Sequence, residues 1–315
     1  MKIVFNIALL TAAFLCCLSV YLFFMVFGRK KMPGIPRPRI LTQKDAVWEC
    51  FQKKSMEGEK WLAMQETEFM EIRADDGIRL RADMVWAAEK TGRTIIAVHG
   101  YRGTPALFFS GSVKFYHDLG YNVLLVHNRA HGKSEGKYIG FGWTDRLDLC
   151  RWCNYLVKYM HENTEIALLG VSMGGAAVMM ASGEKLPEQV KCMIADCGYH
   201  SLWDQLAYNF PKMFPKTVIM HAVSLLCRVI QGFTFREASA LKQLRKNVLP
   251  ILFIHGDADE FVPVSNAYDA YEAASGDAEL LIINGAGHAM CYYTDTDRYE
   301  KAVSEFLASN MRIQP

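Results

Sequence analysis

Ser172 lies in Gly170-Val171-Ser172-Met173-Gly174, directly after the apolar run Ile166-Ala167-Leu168-Leu169. A serine on a tight strand-to-helix turn is forced outward, with its hydroxyl exposed and the next residue's N–H pointing the same way. The flanking glycines suit a turn in which larger side chains would clash. Such a serine serves as a nucleophile when the chain also supplies a base, an orienting acid and donors for an oxyanion. Glycine and serine are common, so the pentapeptide alone is a weak signal. The remaining groups decide.

Two later loops offer them. His255-Gly256-Asp257-Ala258-Asp259 follows the apolar run Pro250 to Ile254, and Glu260-Phe261-Val262-Pro263 comes next. A carboxylate at the C-terminal end of a strand sits on the ligand-binding edge of an open α/β sheet. Asp257 is tied to the Gly256 turn and is expected to bond local backbone N–H groups. Asp259 is free to turn towards Ser172 and is the preferred orienting acid. Gly285-Ala286-Gly287-His288 follows the last apolar run. A histidine in a glycine-rich loop suits proton shuttling, although a lone loop histidine is more often bystander surface. The chain order Ser172, Asp259, His288 is the one expected for this architecture.

The elements that must position these groups can be read from periodicity. Thr67 to Arg73 and Arg79 to Trp86 read as two strands joined at Asp75-Asp76-Gly77, a hairpin signal. Six further apolar runs follow: Thr94 to Val98, Tyr121 to Val126, Ile166 to Leu169, Val190 to Ala195, Pro250 to Ile254 and Glu279 to Ile283. Helix-like patterns separate them, at Ala106 to Leu119, Thr144 to Glu162, Gly174 to Glu184 and Val264 to Ser275, with Arg298 to Asn310 last. Another helical spacing precedes the strands, with Ala46, Trp48, Phe51, Met56 and Trp61. The pattern predicts a mostly parallel eight-stranded sheet with helices on both faces. Between Tyr199 and Asn247 no good strand pattern occurs. Trp203, Leu206, Phe210, Met213 and Ile219 keep helical spacing there, which predicts an inserted helical cap over a pocket, with extra packing as the plainer reading.

The N-terminus has a different character. Ile3 to Gly28 carries no charged residue. Ala8 to Gly28 would span about 31 Å as a helix, enough for a bilayer core. No A-x-A-like site follows, so an uncleaved single-pass anchor is expected over residues 1–31, not a signal peptide. Arg29, Lys30, Lys31, Arg37, Arg39 and Lys44 flank its C-terminal side, which places the following domain in the cytoplasm at the cell membrane. Residues 32–64 read as a linker, stiffened by Pro33, Pro36 and Pro38, followed by a helix. The main domain then runs over 65–315 with its cap at about 199–247.

Composition is that of a globular core, with 51% hydrophobic and 22% charged residues. The formal charge of +2 gives no reason to expect nucleic acid. No G-x-G-x-x-G or other phosphate-binding glycine loop occurs. Nine cysteines without repeating spacing read as free thiols and lean towards a reducing compartment. Cys150-Arg151-Trp152-Cys153 lies inside a helical pattern, the wrong place for a redox motif. His127, Asn128 and His131 invite a metal reading, but no metal is expected.

Over roughly residues 65 to 312 the chain resembles the α/β-hydrolase superfamily, and within it the membrane-anchored bacterial serine hydrolases of the esterase and prolyl-oligopeptidase-like branches. The residues carrying the resemblance are Gly170 to Gly175, His255 to Asp259 with Val262-Pro263, and Gly285 to His288. His99-Gly100-Tyr101 and Arg129-Ala130-His131-Gly132-Lys133-Ser134 add to it. Asn128 stands where the family usually has aspartate, a turn position outside the reacting groups. The resemblance implies an oxyanion hole from the backbone N–H groups of Tyr101 and Met173, and a structural His99. It implies a serine hydrolase acting on small-molecule carboxylic esters with a hydrophobic acyl or alcohol group, without a cofactor. Peptide or amide cleavage is the alternative reaction. It would call for an acidic amine-binding pair or an extra substrate-filtering domain, for which residues before the first strand leave no room. A catalytically silent binding protein on the same scaffold is the third reading.

Overall fold

The structure, a computed structural model, describes residues 2–29, 46–160, 164–210 and 216–311. The proline-containing linker and the basic residues Lys30, Lys31, Arg37, Arg39 and Lys44 lie outside the described residues. Eight strands form one sheet in the order β1-β2-β4-β3-β5-β6-β7-β8. They are β1 (Thr67–Arg73), β2 (Arg79–Val85), β3 (Arg93–Val98), β4 (Asn122–His127), β5 (Glu165–Val171), β6 (Val190–Asp196), β7 (Ile251–Gly256) and β8 (Ala278–Ile283). β1 and β2 make an antiparallel hairpin whose turn puts Gly77 at φ 85°, a conformation that favours glycine. β2 also runs antiparallel to β4, and every later pair is parallel. The strands fall within two residues of those read from the sequence.

Strands β3 to β7 are buried on both faces, which explains why they read as unbroken apolar runs. Side chains still alternate. Ile96 and Val98 of β3 join the core on one face, with Trp152 and Leu156 of α4 (Asp145–Met160) and most of α5 (Met173–Ala181). Ile95 and Ala97 join the other, with Phe109 and Tyr116 of α3 (Pro105–Asp118), and with Val303 and Phe306 of α11 (Thr296–Asn310). α2 (Ala46–Ala63) lies close on α3: a β-carbon at Gly58 would sit 1.7 Å from the Ser110 carbonyl oxygen. Within 199–247 the chain forms α6 (Leu202–Asn209), α7 (Lys216–Gln231) and α8 (Ala240–Leu244). α9 (Ser265–Ala273) precedes β8, and a one-turn helix that the sequence reading lacks, α10 (Cys291–Thr294), follows His288. All nine cysteines are free thiols.

α1 (Lys2–Phe27) contains a stretch, Leu9–Phe27, long and apolar enough to cross a membrane. Its last turns do not stand apart from the domain. Phe23 and Phe27 are fully buried in the larger core, and Phe27 packs between Phe141 at 4.7 Å and Phe235 at 5.5 Å between ring centroids. A helix end leaves carbonyls without intrahelical partners, and here the domain supplies them: Ile139 N–H donates to Phe27 O at 2.7 Å. Arg29 N–H then donates to Lys137 O at 2.9 Å. Truncating Phe27 to alanine removes a fully buried ring and should cost about 3–5 kcal/mol. Thermal unfolding of the detergent-solubilised full chain checks this, and the loss should exceed that for exposed Phe24→Ala.

Candidate active site

Ser172 leaves β5 at φ 59° and ψ −118°, a left-handed conformation that stores on the order of 1–3 kcal/mol of strain. Close packing holds it there. A β-carbon on Gly170 would meet the Gly174 carbonyl oxygen at 2.1 Å, and one on Gly174 would meet the Val98 carbonyl oxygen at 1.9 Å. The glycines are therefore required by the approach of β5, α5 and β3, not by a special backbone angle of their own. Ser172 N–H donates to Asp196 O of the neighbouring strand at 2.8 Å.

The turn aims Ser172 Oγ at His288 Nε2, 2.7 Å away. His288 Nδ1 lies 2.7 Å from Asp259 Oδ2. With Nδ1–H donating to the carboxylate, Nε2 keeps the lone pair that can accept the hydroxyl proton. Asp259 Oδ1 accepts the N–H groups of Phe261 and Val262 at 2.9 and 2.8 Å. Burial alone would raise the Asp259 carboxyl, but the His288 charge, His255 and the backbone N–H of Val262 outweigh it and hold it well below the usual carboxylate range. Asp257 points elsewhere and accepts Gly285 N–H at 2.6 Å. The two aspartates thus divide as their turn positions suggest: one faces the histidine and the other ties down the loop that carries it. Phe261 meets the His288 ring edge-on at 4.9 Å.

The loop after β3 closes over the same strand ends. Gly100 leaves room between Ser172 and Phe108; a β-carbon there would lie 3.2 Å from Ser172 Cβ and 2.5 Å from the Phe108 ring. Met173 opens α5, where an N–H has no intrahelical acceptor. Tyr101 N–H has no hydrogen-bond acceptor among the described residues. The Tyr101 and Arg102 side chains are turned away towards α1: Tyr101 Oη donates to Val26 O at 2.7 Å and Arg102 Nη2 to Met25 O at 2.6 Å. His99 braces the loop, its Nδ1 2.8 Å from Gly100 O and its Nε2 accepting Asn128 N–H at 3.2 Å. Asn128 in turn donates through Nδ2 to His99 O at 2.8 Å.

His131 Nε2 accepts the Arg102 backbone N–H at 2.9 Å, and its Nδ1 lies 2.9 Å from Arg129 O. His127 faces Asp83 at 3.2 Å. Asn128 and His131 therefore tie loops together, and His127 joins β4 to β2. Among the described residues one set of three donors lies close enough for an ion, Cys197, Asp259 and His288, with ligand atoms within 4.8 Å of one another. Both ring nitrogens of His288 are already engaged, and burial raises the Cys197 thiol well above its ordinary value. That donor set suits hydrogen bonding better than metal ligation.

Ser172 is only 4% exposed. A cavity of about 480 Å³ adjoins the site through Val171 and Ala289, the chain neighbours of Ser172 and His288, and is walled by Phe51 of α2, Leu107 and Phe108 of α3, Tyr101, Met290 and Tyr293; neither Ser172 nor His288 lines it. None of the described residues of 199–247 lines it. The segment forms helices, but its apolar side chains wall a different space from the one expected of a lid, a groove of about 460 Å³ against α1. Asp196 also lines the cavity; burial pushes its carboxyl up to about 6, against the opposing charges of His255 and His288. Sequence reasoning missed Asp196 and the α10 tyrosines. Asp196 is the charged last residue of the buried strand β6, the one signal that could have marked it.

Comparison with known proteins agrees with this architecture. The family described as alpha/beta hydrolase fold matches residues 93–233. An esterase of Pyrococcus furiosus, Pf2001, superposes with a TM-score of 0.66 at 25% identity, covering 80% of this chain and 95% of that one. The chain has the α/β-hydrolase fold, and its central part matches that family. Protein YqkD of Bacillus subtilis is 29% identical over 311 residues, 97% of each chain, so that match includes the N-terminal helix. The bem46 protein of Schizosaccharomyces pombe is 26% identical over 252 residues, 78% of each.

One consequence concerns acid. Burial, with the charges of Arg102 and Arg29, pushes the His131 imidazole down to about 4 from its ordinary 6.5. The folded chain thus holds neutral a group that the unfolded chain protonates. Its stabilisation is complete above pH 6.5 and is lost as pH falls through about 4, at most about 3 kcal/mol. The melting temperature should fall across that window, and His131→Gln, which keeps an acceptor for the Arg102 N–H, should show a shallower fall.

Proposed function

We propose that the protein is a serine ester hydrolase that acts on small carboxylic esters with a hydrophobic acyl group. The observation that carries this reading is the continuous hydrogen-bond chain from Ser172 Oγ through His288 to Asp259, two contacts of 2.7 Å, beside a largely apolar cavity. His288 Nε2 takes the Ser172 proton as Oγ attacks the ester carbonyl. The carbonyl oxygen becomes an oxyanion, held by the N–H groups of Tyr101 and Met173, each worth about 3 kcal/mol in such a role. Asp259 orients His288 and stabilises its charged form. His288 then gives the proton to the departing alkoxide, and the C–O bond breaks to leave an acyl-serine and the free alcohol. Water enters, loses a proton to His288, attacks the acyl-serine, and releases the acid as the proton returns to Ser172 Oγ. No step calls for a cofactor. The apolar cavity wall favours an ester over a charged peptide amine. α1 acts as a single-pass membrane anchor, with the positive flank at Arg29 placing the domain in the cytoplasm.

A fluorophosphonate probe tests the nucleophile. Wild type should label and Ser172→Ala should not; equal labelling of both refutes the assignment. With p-nitrophenyl esters of rising chain length, Asp259→Asn should lower kcat by ~10³–10⁴-fold. Asp257→Asn should stay within about threefold of wild type, because it ties a loop and does not face the histidine. Cleavage of aminoacyl amides without esters would overturn the ester reading.

A further inference from the structure

We infer that the cap docks onto the membrane together with α1, and that the groove between them takes the acyl chain of a membrane lipid. Phe14, Leu18, Leu22 and Val26 form one face of α1 in this groove. Leu206, Phe210, Ile219, Met220 and Val223 face them from the cap. Asn209 is the one residue of the lining with a polar side chain.

The overlap of α1 with the cap brings the cap to the bilayer. From Phe14 to Phe27 the helix lies along the cap for about 20 Å. That is most of Leu9–Phe27, the stretch long and apolar enough to cross a membrane. If Leu9–Phe27 enters a membrane, part of that depth is shared with α6 and α7. A fully hydrated cap and a membrane-spanning α1 are incompatible in this packing.

α7 is built for such a position. Its inner side is buried, yet its outer side carries a second apolar stripe at spacings of four, three and four residues: Val218, Ala222, Leu225 and Val229. Val218, Leu225 and Val229 are 53%, 64% and 76% exposed. An apolar stripe on the outer face of a helix, next to a hydrophobic anchor, fits the acyl–headgroup boundary. Charge points to the same partner. Residues 199–247 hold seven lysines and arginines against Asp204 and Glu237, a formal +5 in a chain of +2 overall. The rest of the chain is therefore acidic, and the cap is the face that an anionic lipid surface attracts.

The test uses the full chain reconstituted in vesicles of phosphatidylcholine and phosphatidylglycerol that contain a phosphatidylcholine with a diazirine in its acyl chain. After irradiation, adducts are mapped by peptide mass spectrometry. Adducts should appear on α1, on the α7 peptide and on the groove residues of α6. The double variant Leu225→Asp/Val229→Asp alters only exposed positions. It should lose at least tenfold of the α7 adducts while its turnover of a short water-soluble ester stays within twofold. Adducts confined to α1, or α7 labelling unchanged in the double variant, would overturn the inference and leave this face to a protein partner. Labelling needs no turnover, so Ser172→Ala should give the wild-type map. Failure of the ester reading and failure of membrane docking are thereby told apart.

Discussion

The approach of Gly174 to the end of β3 is the contact on which the site depends. With only 1.9 Å between an added β-carbon and Val98 O, α5 can begin where it does only if residue 174 has no side chain. That approach fixes three things at once. It holds Ser172 in its left-handed turn, it sets the N-terminus of α5 at the edge of the sheet, and it brings the His99–Tyr101 loop alongside. The parallel register β3–β5–β6–β7–β8 then delivers the loops carrying Asp259 and His288 to the same edge. A sheet of this kind gathers its loops there because every parallel strand ends on that side.

A second layer of order comes from the far side of the loop. Tyr101 and Arg102 send their side chains to the carbonyls that end α1. A guanidinium at the C-terminal end of a helix meets both unpaired acceptors and the negative end of the dipole. His131 supports the same loop from behind, accepting the Arg102 N–H. The N-terminal helix is thus one of the supports of the loop beside Ser172.

Much of this was legible because the signals are local. Period-2 and unbroken apolar runs gave the strands, and turn chemistry at Asp75-Asp76-Gly77 gave the hairpin. Position within a turn was enough to separate Asp259 from Asp257. What the sequence did not disclose depends on packing between distant segments. Phe108 and Tyr293 wall the cavity only because α3 and the short α10 meet over the sheet. The aromatic and methionine-rich stretch from 199 to 247 reads as a lid over the reacting groups, yet its apolar side chains face α1. Hydrophobic spacing says that a helix must be covered. It does not say which of two neighbouring helices covers it.

That division leaves two apolar spaces in one protein, and Tyr101 stands between them. Its ring walls the cavity beside Ser172 and packs on Phe141 at 5.1 Å, while its hydroxyl is bonded to Val26, which walls the groove under the cap. Phe27 continues the partition, since it lines the groove and packs on the same Phe141. Any shift of α1 against α7 therefore pulls on the Tyr101 hydroxyl, and through it on the backbone beside Ser172.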